Sequence, residues 1–282
     1  MTMSLTTLGQ VLAEARVKGE NPSGMAGHID PSRHMAVSPT LFFKKLRPGG
    51  PGFEYHDLAC ELFCSRLAGR LSLPVPACLP IATSGLGVGL LSAFVGQKTI
   101  AGVPLESIAN ADKLAMMSVF EQLVMNQDDK TDHFRVRDLP TGKCEFFVVD
   151  HGHTLHAWKV ELQDPATIDA APSLLLPSSG LNEYRVQTYS QLQPYVRDFG
   201  PRVAELAGPV LDEVFRGLEE IQAGDPGLQR FVDEELRHRT IMTKVIQMRA
   251  KNLDQIIRLK CQQCNVRIDS EQTTVPMAGV GA

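Results

Sequence analysis

Cysteine is scarce in this sequence, with six residues in a chain of 282. Secreted domains that depend on disulfides carry a much denser set, so a disulfide scaffold is excluded. We also expect no secretory signal, because the first apolar residues recur at helical spacing around Glu14 and Arg16 and form no continuous apolar run. We therefore expect an amphipathic helix over residues 1–18 and a reducing, cytoplasmic location.

The chain also lacks a strong excess of either charge, since its formal net charge is −4. This balance offers no long-range attraction to nucleic acid or anionic lipid, so direct nucleic-acid binding is not expected. One stretch, residues 71–97, has no charged residue and is long enough to cross a membrane. Prolines and glycines interrupt it, and lipid does not tolerate irregular backbone that no protein covers. We therefore predict buried strands and no membrane span.

The first part of the sequence alternates strand and helix patterns. Short apolar runs predict strands over residues 40–46, 77–83 and 88–94. Apolar residues at helical intervals predict a helix of about four turns from Leu58 to Leu71, and Glu61 lies within it. This part therefore resembles a small sheet with one helix packed on it.

The second part becomes helical. From Pro104 the pattern predicts a mostly buried helix that ends at Asn126, followed by a polar loop and a hairpin that leads to Asp150. Helical periodicity then extends from about residue 191 to residue 261. Residues 164–180 have the composition of a surface loop, and residues 269–282 have that of a disordered tail. These patterns predict an α+β fold with lobes at residues 1–97 and 98–268.

The polar residues at the ends of these elements suit phosphoryl transfer. That reaction needs a lysine on the phosphates, a carboxylate on a metal and a base for the acceptor hydroxyl. Lys44 ends a predicted strand, and Glu61 follows seventeen positions later on the next helix, as in the lysine–glutamate pair of a kinase. Asp128 lies in the polar loop and Asp150 follows the hairpin, so each required group is present in order.

Two stretches of this sequence resemble HipA-like kinases. Leu58–Ala68 with Leu73–Pro76 is similar to the "NE-x-hydrophobic…LA…LGLPVP" stretch of that family. Asn126–His133 with Val148–Gly152 resembles its "N-x-D-R-x-x-x-N" loop and its "D-x-G" or "D-x-D" motif. The resemblance spans about residues 20–155. It implies a bilobal protein-kinase-like fold with a small β-rich N-lobe and a larger helical C-lobe.

The same resemblance implies a role for individual residues. Asp128 would orient the acceptor hydroxyl and accept its proton, and Asp150 would hold the Mg²⁺ that bridges the phosphates of ATP. Lys44 would contact the nucleotide and would be paired with Glu61. Phe94 or its neighbours would form the hinge whose backbone hydrogen-bonds to adenine.

Residues 21–27 match the position of a loop that covers the nucleotide phosphates. Its small residues, Gly24 and Gly27 with Ser23 beside them, would let backbone N–H groups approach phosphate oxygens. In HipA-like kinases a serine of this loop can be autophosphorylated, which ejects the loop, and Ser23 is the candidate here. The same letters also fit an ordinary Pro-Ser-Gly turn.

Two positions depart from the family pattern. Asp129 stands where an arginine is expected, and His133 stands where the family has an asparagine on a second metal ion. Mg²⁺ prefers oxygen, whereas imidazole suits softer transition metals. Either Asp132 supplies the oxygen, or the protein binds one metal ion, uses Mn²⁺, or is a pseudokinase.

The function implied by the resemblance is transfer of the γ-phosphoryl group of ATP to a serine or threonine hydroxyl of a protein. Members of the family often act as growth-arresting toxins on a translation component, with an antitoxin as partner, and this chain resembles a short form. The alternative is a nucleotide-binding pseudokinase that acts as a regulatory interaction module. A small-molecule kinase would differ only in its acceptor.

Other patterns of cysteine, histidine and charge do not predict a second site. We interpret Cys60 with Cys64, and His151, His153 and His156, as packing residues. For Cys261 with Cys264 we expect neither a zinc site nor a thioredoxin-like role. The alternating charges from Arg237 to Lys260 are typical of a solvated helix face.

Overall fold

The computed structural model describes residues 34–38, 41–46, 54–83, 87–96, 98–127, 131–155, 176 and 180–268. Several predictions concern residues outside these ranges: the N-terminal helix, the loop with Ser23, Gly24 and Gly27, Asp128, Asp129, His156, most of the surface loop and the C-terminal tail. Of the helices in these ranges, none combines the length and apolarity that crossing a bilayer requires.

Four antiparallel strands form the first sheet, in the order β1-β2-β4-β3. They are β1 (His34–Ser38), β2 (Leu41–Lys45), β3 (Cys78–Thr83) and β4 (Gly87–Ala93). Strands β2 to β4 confirm the predicted runs to within a residue or two. Lys44 lies opposite Leu90 of β4, near the end of β2. Successive side chains of a strand point to opposite faces, so the buried ring of Phe43 and the Lys44 side chain leave β2 on different sides.

Helix α1 (Tyr55–Arg70) crosses from the first sheet to the helical part of the chain. It contains neither proline nor a β-branched residue, which favours helix throughout its length. A capping box starts it, in which the Glu54 N–H donates to Asp57 Oδ2 at 2.8 Å. Both β3 and a long later helix pack on α1, so its side chains are buried on almost every face. This burial places Glu61 in the interior.

Helix α2 and a second sheet follow. Their bounds are β5 (Lys98–Thr99), α2 (Lys113–Val124), β6 (Phe134–Asp138) and β7 (Cys144–Val148), with the strands in the order β5-β6-β7. The β6–β7 hairpin confirms the predicted one. Helix α2 begins later than the pattern after Pro104 indicates, because Asn110 lies in a turn. Asn110 Nδ2 donates to the carbonyl of Phe146 at 3.0 Å, and the Phe146 N–H donates to Asn110 Oδ1 at 2.9 Å.

The remaining chain is helical, as predicted. Its helices are α3 (Gln193–Glu219), α4 (Pro226–Asp233), α5 (Glu235–Lys251) and α6 (Leu253–Gln263). Helix α3 packs along α5 and α1 and forms the centre of this part. Pro201 and Pro209 lie inside α3, and each follows a glycine. A side chain before proline is crowded in helical backbone, so Gly200 and Gly208 relieve that clash.

The prediction of a solvated face near the C-terminus is wrong for Arg249 and Lys260, whose side chains are buried. The Arg249 guanidinium donates to the carbonyls of Leu123 at 3.0 Å and Gln122 at 2.5 Å, which are terminal carbonyls of α2. These groups have no partner within their own helix and carry the negative end of its dipole. Burial lowers the pKa of Arg249 to about 9, which leaves it charged at neutral pH. Alternating charge in the sequence does not reveal such a partner.

The architecture confirms the predicted α+β class. A small sheet and one helix come first, a helix and a hairpin follow, and a helical part completes the chain. This order is consistent with a two-lobed kinase-like fold. The lobe boundary at residue 97 stays a prediction.

Candidate functional site

Three charged side chains from distant parts of the sequence meet at one point. Lys44 Nζ lies 3.1 Å from Glu61 Oε1 and 2.5 Å from Asp150 Oδ1. Strand β2 supplies the lysine, α1 supplies the glutamate, and the segment after β7 supplies the aspartate. The side chains of Lys44 and Glu61 are 13% and 6% exposed, whereas that of Asp150 is 32% exposed. The lysine therefore joins a buried carboxylate to one that solvent reaches.

The backbone after β7 directs Asp150 toward Lys44. Asp150 has a φ of +66°, in the left-handed region that aspartate adopts more readily than most residues. On one side the Val149 N–H donates to the carbonyl of His133 at 3.0 Å. On the other side the His151 N–H donates to Glu61 Oε2 at 2.9 Å. Glu61 thus holds both the Lys44 side chain and the backbone next to Asp150.

Lys44 and Asp150 stabilise each other's charge. Burial alone would lower the pKa of Lys44, but the carboxylates of Asp150 and Glu61 outweigh it and raise that pKa. Burial alone would raise the pKa of Asp150, but Lys44 and His133 outweigh it and hold that pKa well below its ordinary value. For Glu61 burial is the stronger influence and raises the pKa despite Lys44. Lys44 and Asp150 are therefore an ion pair at neutral pH.

The predicted metal ligands lie unequally close to one another. His133 Nε2 is 3.7 Å from Asp150 Oδ2, and Asp132 is exposed in the 3₁₀ turn Thr131–His133. Within the described part of the chain, no three His, Cys, Asp or Glu side chains are grouped to hold a metal ion. Mg²⁺ in phosphotransfer sites is bound by one or two carboxylates together with substrate phosphates. Asp150 fits that role, and His133 would suit a softer ion.

A second polar cluster is buried next to the first. Glu121 on α2 accepts a hydrogen bond from Asn126 Nδ2 at 2.6 Å and lies 2.8 Å from His151 Nε2. The three residues are 1%, 3% and 1% exposed, in the order Glu121, Asn126 and His151. The sequence pattern predicts no role for Glu121. The signal was the single carboxylate of a mostly apolar helix, because buried carboxylates require a partner.

The residues interpreted as packing residues are mostly buried. The His151 ring meets the ring of Phe120 edge-on, with centroids 6.1 Å apart. Burial alone would lower the pKa of His151, but Glu121 outweighs it and raises that pKa. Cys60 and Cys64 each lie 3.4 Å from an oxygen of Thr154, within the core. All six cysteines of the chain are free thiols.

Phe94 lies at the connection between the two sheets. It follows β4 and is partly exposed, and Gly96 comes two residues later with a φ of +110°. A Cβ on Gly96 would lie 2.6 Å from the carbonyl oxygen of Val136, so glycine is required for the chain to pass β6 this closely. The role of Phe94 as an adenine hinge stays a prediction.

Comparison with known proteins finds few similar chains. No family model matches the sequence, and no curated protein matches it. Among solved structures, the crystal structure of the proinflammatory kinase CtkA from Helicobacter pylori is similar, with a TM-score of 0.48 and 14% sequence identity. The match covers 83% of this chain and 96% of that chain.

Proposed function

We propose that this protein is an ATP-dependent phosphotransferase with its reaction centre at Lys44, Glu61 and Asp150. The observation that carries the proposal is the contact of one strand lysine with both carboxylates. Glu61 orients the ammonium group, which would then stabilise negative charge on the phosphates. The Asp150 side chain is 32% exposed and would hold a divalent cation, Mg²⁺ or Mn²⁺.

The proposed step transfers the γ-phosphoryl group of ATP to a hydroxyl. The acceptor oxygen forms a bond to the γ-phosphorus while the bond from that phosphorus to the β,γ-bridging oxygen breaks. ADP leaves with the electron pair of that bond, and the hydroxyl proton passes to a base. Asp128 takes the role of the base by resemblance to HipA-like kinases. A bound cation would neutralise charge on the phosphates, and Lys44 would donate to them.

We extend the proposal to a serine or threonine hydroxyl of a protein as the acceptor, on the resemblance to HipA-like kinases. The same resemblance supports a growth-regulating toxin that modifies a translation component and is restrained by an antitoxin. Expression of the wild-type chain should then arrest growth, and expression of Asp150→Ala should not. Equal arrest by both chains would contradict the toxin role.

His133 favours a second candidate function. Its imidazole lies 3.7 Å from Asp150, at the position where an asparagine would offer an oxygen to a second cation. A chain with this substitution would keep Lys44 and Glu61 for nucleotide binding and lose the transfer step. This candidate is a pseudokinase that regulates a partner.

The deciding experiment incubates the purified protein with γ-labelled ATP and either Mg²⁺ or Mn²⁺, alone and with a generic protein acceptor. We expect label on protein, reduced at least about 100-fold in Lys44→Ala and Asp150→Ala. The matched control is Asp138→Ala, which removes an exposed carboxylate of β6 that pairs with Lys98 and should leave transfer unchanged.

Each result selects between the candidates. Nucleotide binding without label supports the pseudokinase, and absence of both binding and label overturns both candidates. Label that survives Asp150→Ala contradicts the assigned centre. Mapping the phosphate also tests the proposed autophosphorylation of Ser23, because label only at other residues contradicts it.

A further inference from the structure

Glu121 joins the two segments that carry the proposed base and the proposed cation ligand. One of its carboxylate oxygens accepts from Asn126 Nδ2 at 2.6 Å, two residues before Asp128. The other oxygen lies 2.8 Å from His151 Nε2, and His151 directly follows Asp150. A single buried side chain thus contacts both segments of the site without belonging to the Lys44 cluster.

The backbone holds the same two segments side by side. The Gln127 N–H donates to the carbonyl of His153 at 3.2 Å, and the Leu155 N–H donates to the carbonyl of Val124 at 2.9 Å. Helix α2 ends at Val124, and the next residue, Met125, has a φ of +54° that turns the chain so that Asn126 folds back toward Glu121. The hydrogen bonds of Glu121 therefore add a side-chain link between two segments that backbone hydrogen bonds already join.

His151 links Glu121 to the reaction centre. Its side chain contacts Glu121, and its backbone N–H donates to Glu61 Oε2 at 2.9 Å. Glu61 in turn contacts Lys44 at 3.1 Å. A displacement of His151 would therefore move the neighbours of Asp150 and Lys44 together.

Stability alone does not account for a carboxylate at this position. Glu121 is 1% exposed, and removing a carboxylate from water is costly even when its partner is well placed. An apolar side chain on this face of α2 would pack without that cost. The contacts with Asn126 and His151 are what a carboxylate adds there.

We infer that Glu121 is a positioning residue that holds Asn126, two residues before the proposed base, and His151, directly after Asp150, in fixed register for phosphotransfer. This inference rests on the proposed function. Glu121 acts through its hydrogen bonds with Asn126 and His151. Its removal should slow transfer more than it weakens nucleotide binding.

The test measures kcat and KM for ATP in wild type, Glu121→Ala and Glu121→Gln. A small misplacement of reacting groups costs up to about 100-fold in rate. We expect Glu121→Ala to lower kcat by about that factor and to change KM for ATP by less than about 3-fold. Glu121→Gln keeps an acceptor for Asn126 and should restore kcat to within about 10-fold of wild type.

The matched control is Met117→Ala, which truncates another buried side chain of α2. It should lower the melting temperature and leave kcat unchanged at temperatures where the variant is folded. A double-mutant cycle adds Asn126→Ala. If both residues act through one link, the double variant should lose little more kcat than Glu121→Ala alone.

The outcomes separate this inference from the proposed function. Transfer by wild type with undiminished kcat in Glu121→Ala overturns the positioning role and leaves the function standing. A loss of kcat in Met117→Ala equal to that in Glu121→Ala also overturns it, since any loosening of α2 would then suffice. Absence of transfer by wild type under either metal overturns the function and this inference with it.

Discussion

Burial changes how much an ion pair of lysine contributes to stability. Lys44 is 13% exposed and pairs with two carboxylates, whereas Lys98 is 68% exposed and pairs with Asp138. Water screens the exposed pair and competes for its hydrogen bonds. Lys44 and Glu61 are buried, so solvent screens the two carboxylates poorly, and Glu61 and Asp150 would repel each other without the ammonium group.

We predict that Lys44→Met lowers the free energy of unfolding by about 3 kcal/mol, the low end for a buried pair that loses one partner, because Asp150 keeps some access to water. Lys98→Met, the matched control, should change it by less than about 1 kcal/mol. Urea-induced unfolding of both variants measures the difference. Similar small losses in the two variants would mean that the Lys44 pair is screened like a surface pair.

At the scale of elements, the site depends on how closely the segment after β7 approaches α1. Gly152 lies at the nearest point, where an added Cβ would be 3.3 Å from the Cβ of Asp57 and 3.7 Å from Cγ of Glu61. The first distance is tighter than ordinary packing, so a methyl group would push the segment away from α1. Asp57 caps α1 and is itself buried, so it has little room to move.

We predict that Gly152→Ala lowers the free energy of unfolding by about 1 to 2 kcal/mol and reduces label transfer, because Asp150 moves away from Lys44. The control is Gly69→Ala on α1, where nothing lies within 4 Å and alanine should stabilise the helix by up to about 1 kcal/mol. Unfolding and transfer assays on both variants provide the test. Full stability and full transfer in Gly152→Ala would show that the contact yields easily.

At the scale of the whole molecule, an aromatic stack ties α1 to the helical part. Tyr55 stacks on Phe231 with centroids 6.1 Å apart, and Phe231 stacks on His238 at 4.4 Å. The Tyr55 hydroxyl donates to Asp225 Oδ1 at 2.8 Å. Helix α1 carries Glu61, which contacts Lys44. The stack therefore fixes α1 against the far half of the chain.

His238 makes this stack sensitive to acid. Burial lowers its pKa to about 4, with Glu234 opposing the shift and with Arg237 and His56 adding to it. In the unfolded chain a histidine has a pKa of about 6.5, so between about pH 4 and about pH 6.5 the unfolded chain binds a proton that the folded chain does not. Stability from this group is therefore complete above about pH 6.5 and falls as the pH drops toward about 4.

We predict that wild type loses about 2 kcal/mol more stability than His238→Gln or His238→Phe between about pH 7 and about pH 4. Both substitutions remove the titrating ring, one with a polar and one with an apolar side chain. Urea-induced unfolding across this range measures the difference between the curves. Parallel curves for all three proteins would exclude His238 as a source of acid sensitivity.

The sequence by itself determined the secondary-structure elements and the pair of site residues closest in sequence, Lys44 and Glu61. The strand with Lys44, the helix with Glu61 and the hairpin before Asp150 follow from apolar periodicity, which reflects the local geometry of strand and helix. Lys44 and Glu61 are seventeen residues apart on consecutive major elements, so their pairing was within reach of sequence spacing. Periodicity, however, reports which face is buried and not what it faces.

Only the tertiary structure decided which distant groups meet. Glu121 and His151 are thirty residues apart, and Arg249 reaches a carbonyl 127 residues away. The sequence therefore left Glu121 without a role and placed Arg249 on a solvated face. A buried charge needs a partner, and tertiary packing decides which group that partner is. The apolar periodicity of α2 and of α5 does not reveal that these two helices pack against each other.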